Sequence, residues 1–139
     1  MRLIHCADLH LDSKMTANLT REKAAERRRE LLLTFERMVK YASEHQAEAV
    51  LIAGDLFDTK RISAAARVAV AETIERHPEI TFFYLRGNHD ADSFLAGLDP
   101  MPSNLRLFGE KWRSYPLGDG EKIVISGIEL SHANEGQAY

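Results

Sequence analysis

The sequence predicts an α/β fold whose central sheet starts parallel, is covered by helices and is followed later by a β-hairpin. Two observations carry this expectation. Three short apolar runs alternate with two longer stretches of helical periodicity, and each run closes on a glycine or a carboxylate. Strand, helix, strand, helix, strand in that order calls for right-handed crossovers, hence for parallel strands under helices.

The first run, residues 2–7, is too short for a helix and stops at Asp8. A polar stretch follows. From Thr20 to Glu44, Ala24, Arg28, Leu31, Leu32, Phe35, Met38, Val39 and Ala42 recur every three or four positions with charges between them. That spacing predicts an amphipathic helix of about seven turns at ~3.6 residues per turn. Ala-Val-Leu-Ile-Ala at 49–53 is continuously apolar and ends at Gly54-Asp55, as a strand buried on both faces of a parallel sheet would. Residues 63–76 read as a second helix: Ser63 can cap it, Ala66, Ala69 and Val70 allow close packing, and Pro78 ends it. A third strand, 80–85, closes on Gly87. Residues 105–108 suit a short strand, and 112–117 and 122–128 flank a Gly118-Asp119-Gly120 turn that signals a hairpin. No repeat or linker divides the chain, so residues 1–139 are expected to form a single domain, with a frayed or unfinished tail from Ser131 to Tyr139.

The composition is that of a globular protein. Of 139 residues, 45% are hydrophobic and 28% charged, which excludes a disordered tail, a fibre or a collagen-like repeat. No apolar run approaches the roughly 18–20 residues of a membrane span, and His5, Asp8 and His10 come too early for a signal peptide. A cytoplasmic location without membrane contact is the expectation. The single cysteine, Cys6, suits a reducing compartment. With 18 basic against 21 acidic side chains the net charge is −3, which argues against coating nucleic acid by charge alone.

All three predicted parallel strands end in polar clusters: Asp8-Leu9-His10, Gly54-Asp55-Leu56-Phe57-Asp58 and Gly87-Asn88-His89-Asp90. The carboxyl ends of parallel strands open onto one crevice, so these groups are expected to converge. Residues two apart in an extended segment share a face, so Asp8 and His10 could bind one ion together. Asp55 could bridge two ions, and Asn88 offers a neutral carbonyl oxygen. Oxygen and imidazole donors without thiolate favour Mn²⁺, Fe or Zn²⁺ over Ca²⁺. Two ions about 3.5–4 Å apart would clamp a phosphate ester and activate a water. His89 then suits the acid that protonates the leaving oxygen, with Asp90 orienting or charging its ring.

In this order and spacing, Asp8-x-His10, Gly54-Asp55-x-x-Asp58 and Gly87-Asn88-His89-Asp90 resemble the calcineurin-like metallophosphoesterases. The longer opening, His5 to Ser13, together with Gly54 to Asp58, resembles the SbcD-like branch of DNA-repair exonucleases. The resemblance implies that Asp8, His10 and Asp55 hold a first metal, that Asp55 and Asn88 begin a second, and that both are Mn²⁺. It implies His89 as the catalytic acid or a phosphate-contacting residue. It further implies DNA as the substrate of the intact protein and an SMC-like ATPase as partner. The family's later histidine and closing Gly-His-x-His motif are not found in the chain, whose only histidine after His89 is His132. On this resemblance the chain corresponds to the N-terminal part of the domain, with an incomplete second site. A phosphatase or nucleotide phosphodiesterase of the same superfamily is the enzymatic alternative. The other alternative is a non-catalytic fragment, or a subunit that completes its site from another chain, as in a homodimer.

Other residues have plainer readings. Asp58 either orients a ligand histidine or caps the following loop. Arg86 could meet a phosphate, but an ordinary surface ion pair is its expected role. His5 is expected as a packed core histidine and Cys6 as a small buried hydrophobe. Asp12 and Ser13 are expected to shape a turn. Arg27-Arg28-Arg29 alternates with Glu22, Glu26 and Glu30 and suits a salt-bridged helix face. His45 and His77 fall near helix ends, where an imidazole suits the dipole.

Overall fold

The computed structural model describes residues 1–15, 18–58, 62–87, 90, 94–118, 123–131, 134 and 136. The chain runs β1 (Leu3–Cys6), α1 (Arg21–Glu44), β2 (Ala49–Ala53), α2 (Ala64–Glu75), β3 (Thr81–Leu85), a 3-10 turn (Leu95–Gly97), β4 (Leu105–Leu107), β5 (Arg113–Leu117) and β6 (Ile123–Gly127). Four strands form one sheet in the order β1-β2-β3-β4, every neighbouring pair parallel. The hairpin β5-β6 is a separate antiparallel sheet, so it adds a layer and does not widen the central sheet.

Both helices begin where polar side chains can replace a missing turn. The Thr20 hydroxyl accepts from the Lys23 amide at 3.3 Å, and that of Ser63 from the Ala66 amide at 3.2 Å. At their ends, ring nitrogen Nδ1 of His45 lies 2.9 Å from the Tyr41 carbonyl and that of His77 2.8 Å from the Thr73 carbonyl. Each imidazole thus donates to a carbonyl of the last helical turn.

A strand order that advances in one direction through crossovers of one hand puts both helices on the same face. There Phe35, Val39 and Ala42 of α1 and Ala66, Val70 and Ile74 of α2 bury Val50, Ile52, Phe82 and Tyr84. On the opposite face, Ala49 and Phe83 pack with Phe108 and Leu117, joined by Tyr115 and Ile125 of the hairpin. Tyr115 sits between two rings, 5.9 Å from Phe83 and 5.6 Å from Phe108.

The described residues of the hairpin reach β2, β3 and β4 but leave β1 uncovered on that side. His5 and Leu3 are therefore exposed, and the core histidine expected at position 5 is corrected: among the described residues β1 pairs with β2 alone, at the sheet's edge. Cys6 points the other way, toward the helices, and burial pushes its thiol up to about 11. Arg27 pairs with Glu30 at 2.7 Å, as the interleaved charges of α1 suggest.

Asn104 is a buried polar group that no pattern in the sequence signals. Its amide nitrogen lies 2.9, 3.0 and 3.1 Å from the carbonyls of Ile74, His77 and Ile80, tying the end of α2 to the start of β3. Of the residues from Ser131 on, 131, 134 and 136 are described. Asn134 is buried, accepts from the Ser131 amide and donates to the carbonyls of Glu129 and Glu110. His132 lies outside the described residues.

Candidate metal centre

Beyond their last paired residues, β1 and β2 stay zipped together. The Asp8 amide donates to the Gly54 carbonyl at 3.1 Å, that of His10 to Asp55 at 3.0 Å and that of Leu11 to Leu56 at 2.9 Å, and Leu11 and Phe57 form a parallel bridge. Buried Leu11, Leu56 and Phe57 pin this double loop to the core.

The loop is not extended. Asp8, His10 and Asp55 have φ of 54°, 46° and 49°. Asp8 and His10 thus reach one side of the loop through left-handed turns and not through the alternation of a strand. Asp and His are among the non-glycine residues that enter this region most readily, yet each costs on the order of 1 kcal/mol. The interloop hydrogen bonds hold them there.

The outcome is a compact donor set: Asp8, His10 and Asp55 each offer one ligand atom, and all of these lie within 4.8 Å of one another. Asp8 is exposed, while His10 and Asp55 are half-buried, so the cluster opens to solvent on one side. Two carboxylates and an imidazole, with no thiolate, fit a borderline or hard divalent cation.

Around the donors a supporting layer is visible. Asp58 Oδ1 stands 3.4 Å from His10 Nδ1, and Asp58 Oδ2 accepts from the Ser13 hydroxyl at 2.8 Å. Asp58 thus stands beside the histidine; the loop that it would cap on its other reading, residues 59–61, lies outside the described residues. Asp12 accepts from the Ser63 amide at 2.7 Å, so it secures the loop to the start of α2. Asp90 lies between loops: its two oxygens accept from the amides of Phe57 and Gly87, both at 2.8 Å. Beneath it lies the buried Tyr84 hydroxyl. Burial first, and then the Asp90 charge, push its pKa well above the ordinary tyrosine range. Arg86 forms an ion pair, Nη2 lying 2.7 Å from Glu129 Oε2, but with a buried carboxylate and not at the surface as expected, because Glu129 is packed between the layers. Asn88 and His89 lie outside the described residues.

Two glycines let the loops meet. A Cβ on Gly87 would lie 2.2 Å from Asp55 Oδ1 and 2.6 Å from the Asp55 amide nitrogen. Gly54, at φ +89°, abuts Gly87. Sequence reasoning treats both as strand terminators and misses this contact. It also misses Glu129, whose one signal is a lone carboxylate between the apolar Ile128 and Leu130.

Comparisons with known proteins give the family of the chain. Residues 1–135 match the family model described as calcineurin-like phosphoesterase. The DNA double-strand break repair protein Mre11 of Methanosarcina mazei is 30% identical over 135 residues, covering 93% of this chain and 20% of that protein. The Mre11 protein of Methanopyrus kandleri is 30% identical over 148 residues, covering 96% and 31%. The crystal structure of Pseudomonas putida nuclease MPE superposes with a TM-score of 0.52 at 25% identity, over 81% of this chain and 50% of that one. The chain thus spans between a fifth and a third of the length of these curated relatives. Among the described residues, no helix is long and apolar enough to cross a membrane.

Proposed function

The chain belongs to the calcineurin-like phosphoesterase family, and from that premise we propose that it serves a metal-dependent phosphodiester hydrolase acting on DNA. The observation that carries the reading is the convergence of Asp8, His10 and Asp55 within 4.8 Å. The names of the similar proteins, a DNA double-strand break repair protein and a nuclease, support DNA as the substrate.

In this reading Asp8, His10 and Asp55 hold one divalent cation, and Asp55 with Asn88 begins a second site. Mn²⁺ is the proposed ion: it is one of the three that these donors suit, and the one that the family resemblance implies. When bound, such a cation supplies positive charge and Lewis acidity toward a phosphate ester. The chain's own groups do the rest. Asp58, fixed by Ser13, faces Nδ1 of His10 and favours the tautomer that keeps Nε2 available as a donor atom. His89 gives its proton to the leaving oxygen. Asp90 spends both oxygens on backbone amides, so its contribution is to hold the loops of β2 and β3 at a constant separation. Arg86, paired with Glu129, supports the same loop from behind. Residues 1–139 act as one domain of a cytoplasmic protein, and an SMC-like ATPase is the proposed partner of the whole protein. A homodimer that completes the second site is the competing arrangement.

Assays of the whole protein, and beside it of residues 1–139 alone, with and without Mn²⁺, on linear DNA and on an aryl phosphate monoester, test this. The expected result is Mn²⁺-dependent cleavage that is faster on DNA and is abolished by EDTA. Faster monoester hydrolysis would overturn DNA as substrate in favour of a phosphatase. Mn²⁺ binding without turnover on either would assign this chain binding without catalysis.

A further inference from the structure

Glu129 is a carboxylate only 5% exposed, in the segment that leaves β6. Its backbone is held at both ends: its amide donates to the Gly109 carbonyl at 2.8 Å, and its carbonyl accepts from Asn134 Nδ2 at 2.8 Å. The side chain reaches across the layers to the end of β3. Glu129 Oε1 accepts from Arg86 Nε at 3.0 Å and from the Arg86 backbone amide at 3.3 Å, while Oε2 accepts from Nη2 at 2.7 Å.

The backbone contact is the informative one. The parallel ladder of β3 with β4 ends at Tyr84 and Leu107, with the Tyr84 carbonyl still accepting from the Phe108 amide. The next outward amide, that of Arg86, meets Glu129. Gly87 follows directly, and Gly87 is the wall against which Asp55 Oδ1 rests, too close to admit even a methyl group. A surface ion pair needs only the guanidinium. A carboxylate that is buried, caps the strand's last amide and grips the guanidinium as well fixes the position of the chain itself.

We propose that Glu129, acting through Arg86 and Gly87, is a positioning residue for the Asp55 carboxylate, and so sets how tightly the Asp8, His10 and Asp55 cluster takes a divalent cation. The proposal rests on the metal-site reading above. It makes the layer formed by the hairpin and the segment after it part of the site's support, although none of its described residues is a donor in the cluster.

The test is Mn²⁺ binding by isothermal titration calorimetry, well below the unfolding temperature, on the wild type, Asp55→Ala, Glu129→Gln and Arg27→Ala. Glu129→Gln keeps the shape but leaves one acceptor oxygen where Arg86 presents three donors, and sets an amide NH2 against the others, so the grip is weakened. The expected result is a dissociation constant raised about tenfold, as is typical when support for a metal ligand is removed. Arg27→Ala, at an exposed pair on α1, leaves it unchanged. Loss of binding in Asp55→Ala with wild-type affinity in Glu129→Gln would overturn the positioning role alone. Equal binding by wild type and Asp55→Ala would overturn the metal-site reading itself. Should Glu129→Gln not fold, the Arg86→Met/Glu129→Leu double variant replaces the pair by apolar side chains, a change that often preserves stability. Wild-type Mn²⁺ affinity in that folded variant would equally refute the proposal, and weakened affinity would support it.

Discussion

Gly87→Ala is expected to destabilise the fold by about 3 kcal/mol, the upper end of the usual range for overpacking, and to abolish divalent-cation binding in whatever remains folded. The added Cβ would stand 2.2 Å from Asp55 Oδ1, 2.9 Å from its Cγ and 2.6 Å from its amide nitrogen. A flexible side chain could swing aside, but a backbone nitrogen cannot. The Asp55 backbone is held through its carbonyl, which accepts from the His10 amide at 3.0 Å. Relief therefore demands that the loop of β3 move away from that of β2, or that Asp55 leave its neighbours. Either shift separates the donor atoms. Chemical denaturation and a Mn²⁺ titration on the same preparation check both halves, and retained affinity would show that Asp55 does not depend on this contact.

Asp90→Ala is expected to cost about 3 kcal/mol as well, by a different route. Two partly buried amides, those of Phe57 and Gly87, lose a charged acceptor at once. The loops of β2 and β3 then lose a direct link, and the Asp90 charge that raises the Tyr84 hydroxyl's pKa disappears. Asp90→Asn is expected to retain part of the stability, because an amide oxygen can still accept from one of the two donors. If Asp90 served only to carry a proton, both variants would fold with wild-type stability; denaturation midpoints separate these outcomes.

The helices and strands were legible because their causes are local. Thr20 and Ser63 cap the helices from adjacent positions, and the apolar run at 49–53 becomes β2 with the same bounds. The convergence of Asp8, His10 and Asp55 was legible too, since parallel strands that share a sheet must end on one side. What was hidden depends on partners remote in sequence. His5 has the periodicity of a core position, but its burial depends on what covers β1, and the described residues of the hairpin do not extend that far. Asp8 and His10 occupy left-handed backbone because of hydrogen bonds to the loop of β2, which no local pattern encodes. The approach of Gly87 to Asp55 and the reach of Glu129 to Arg86, 43 positions away, exist only once the layers have stacked.

The central claim is that Asp8, His10 and Asp55 together hold a divalent cation, and a Mn²⁺ titration of the wild type beside Asp55→Ala tests it most directly. Wild type is expected to bind with a measurable heat and a raised unfolding temperature, since a ligand that binds only the folded state stabilises it. Asp55→Ala, which loses one of the three donors, is expected to show neither. Equal binding by the two proteins, or binding by neither, would contradict the claim.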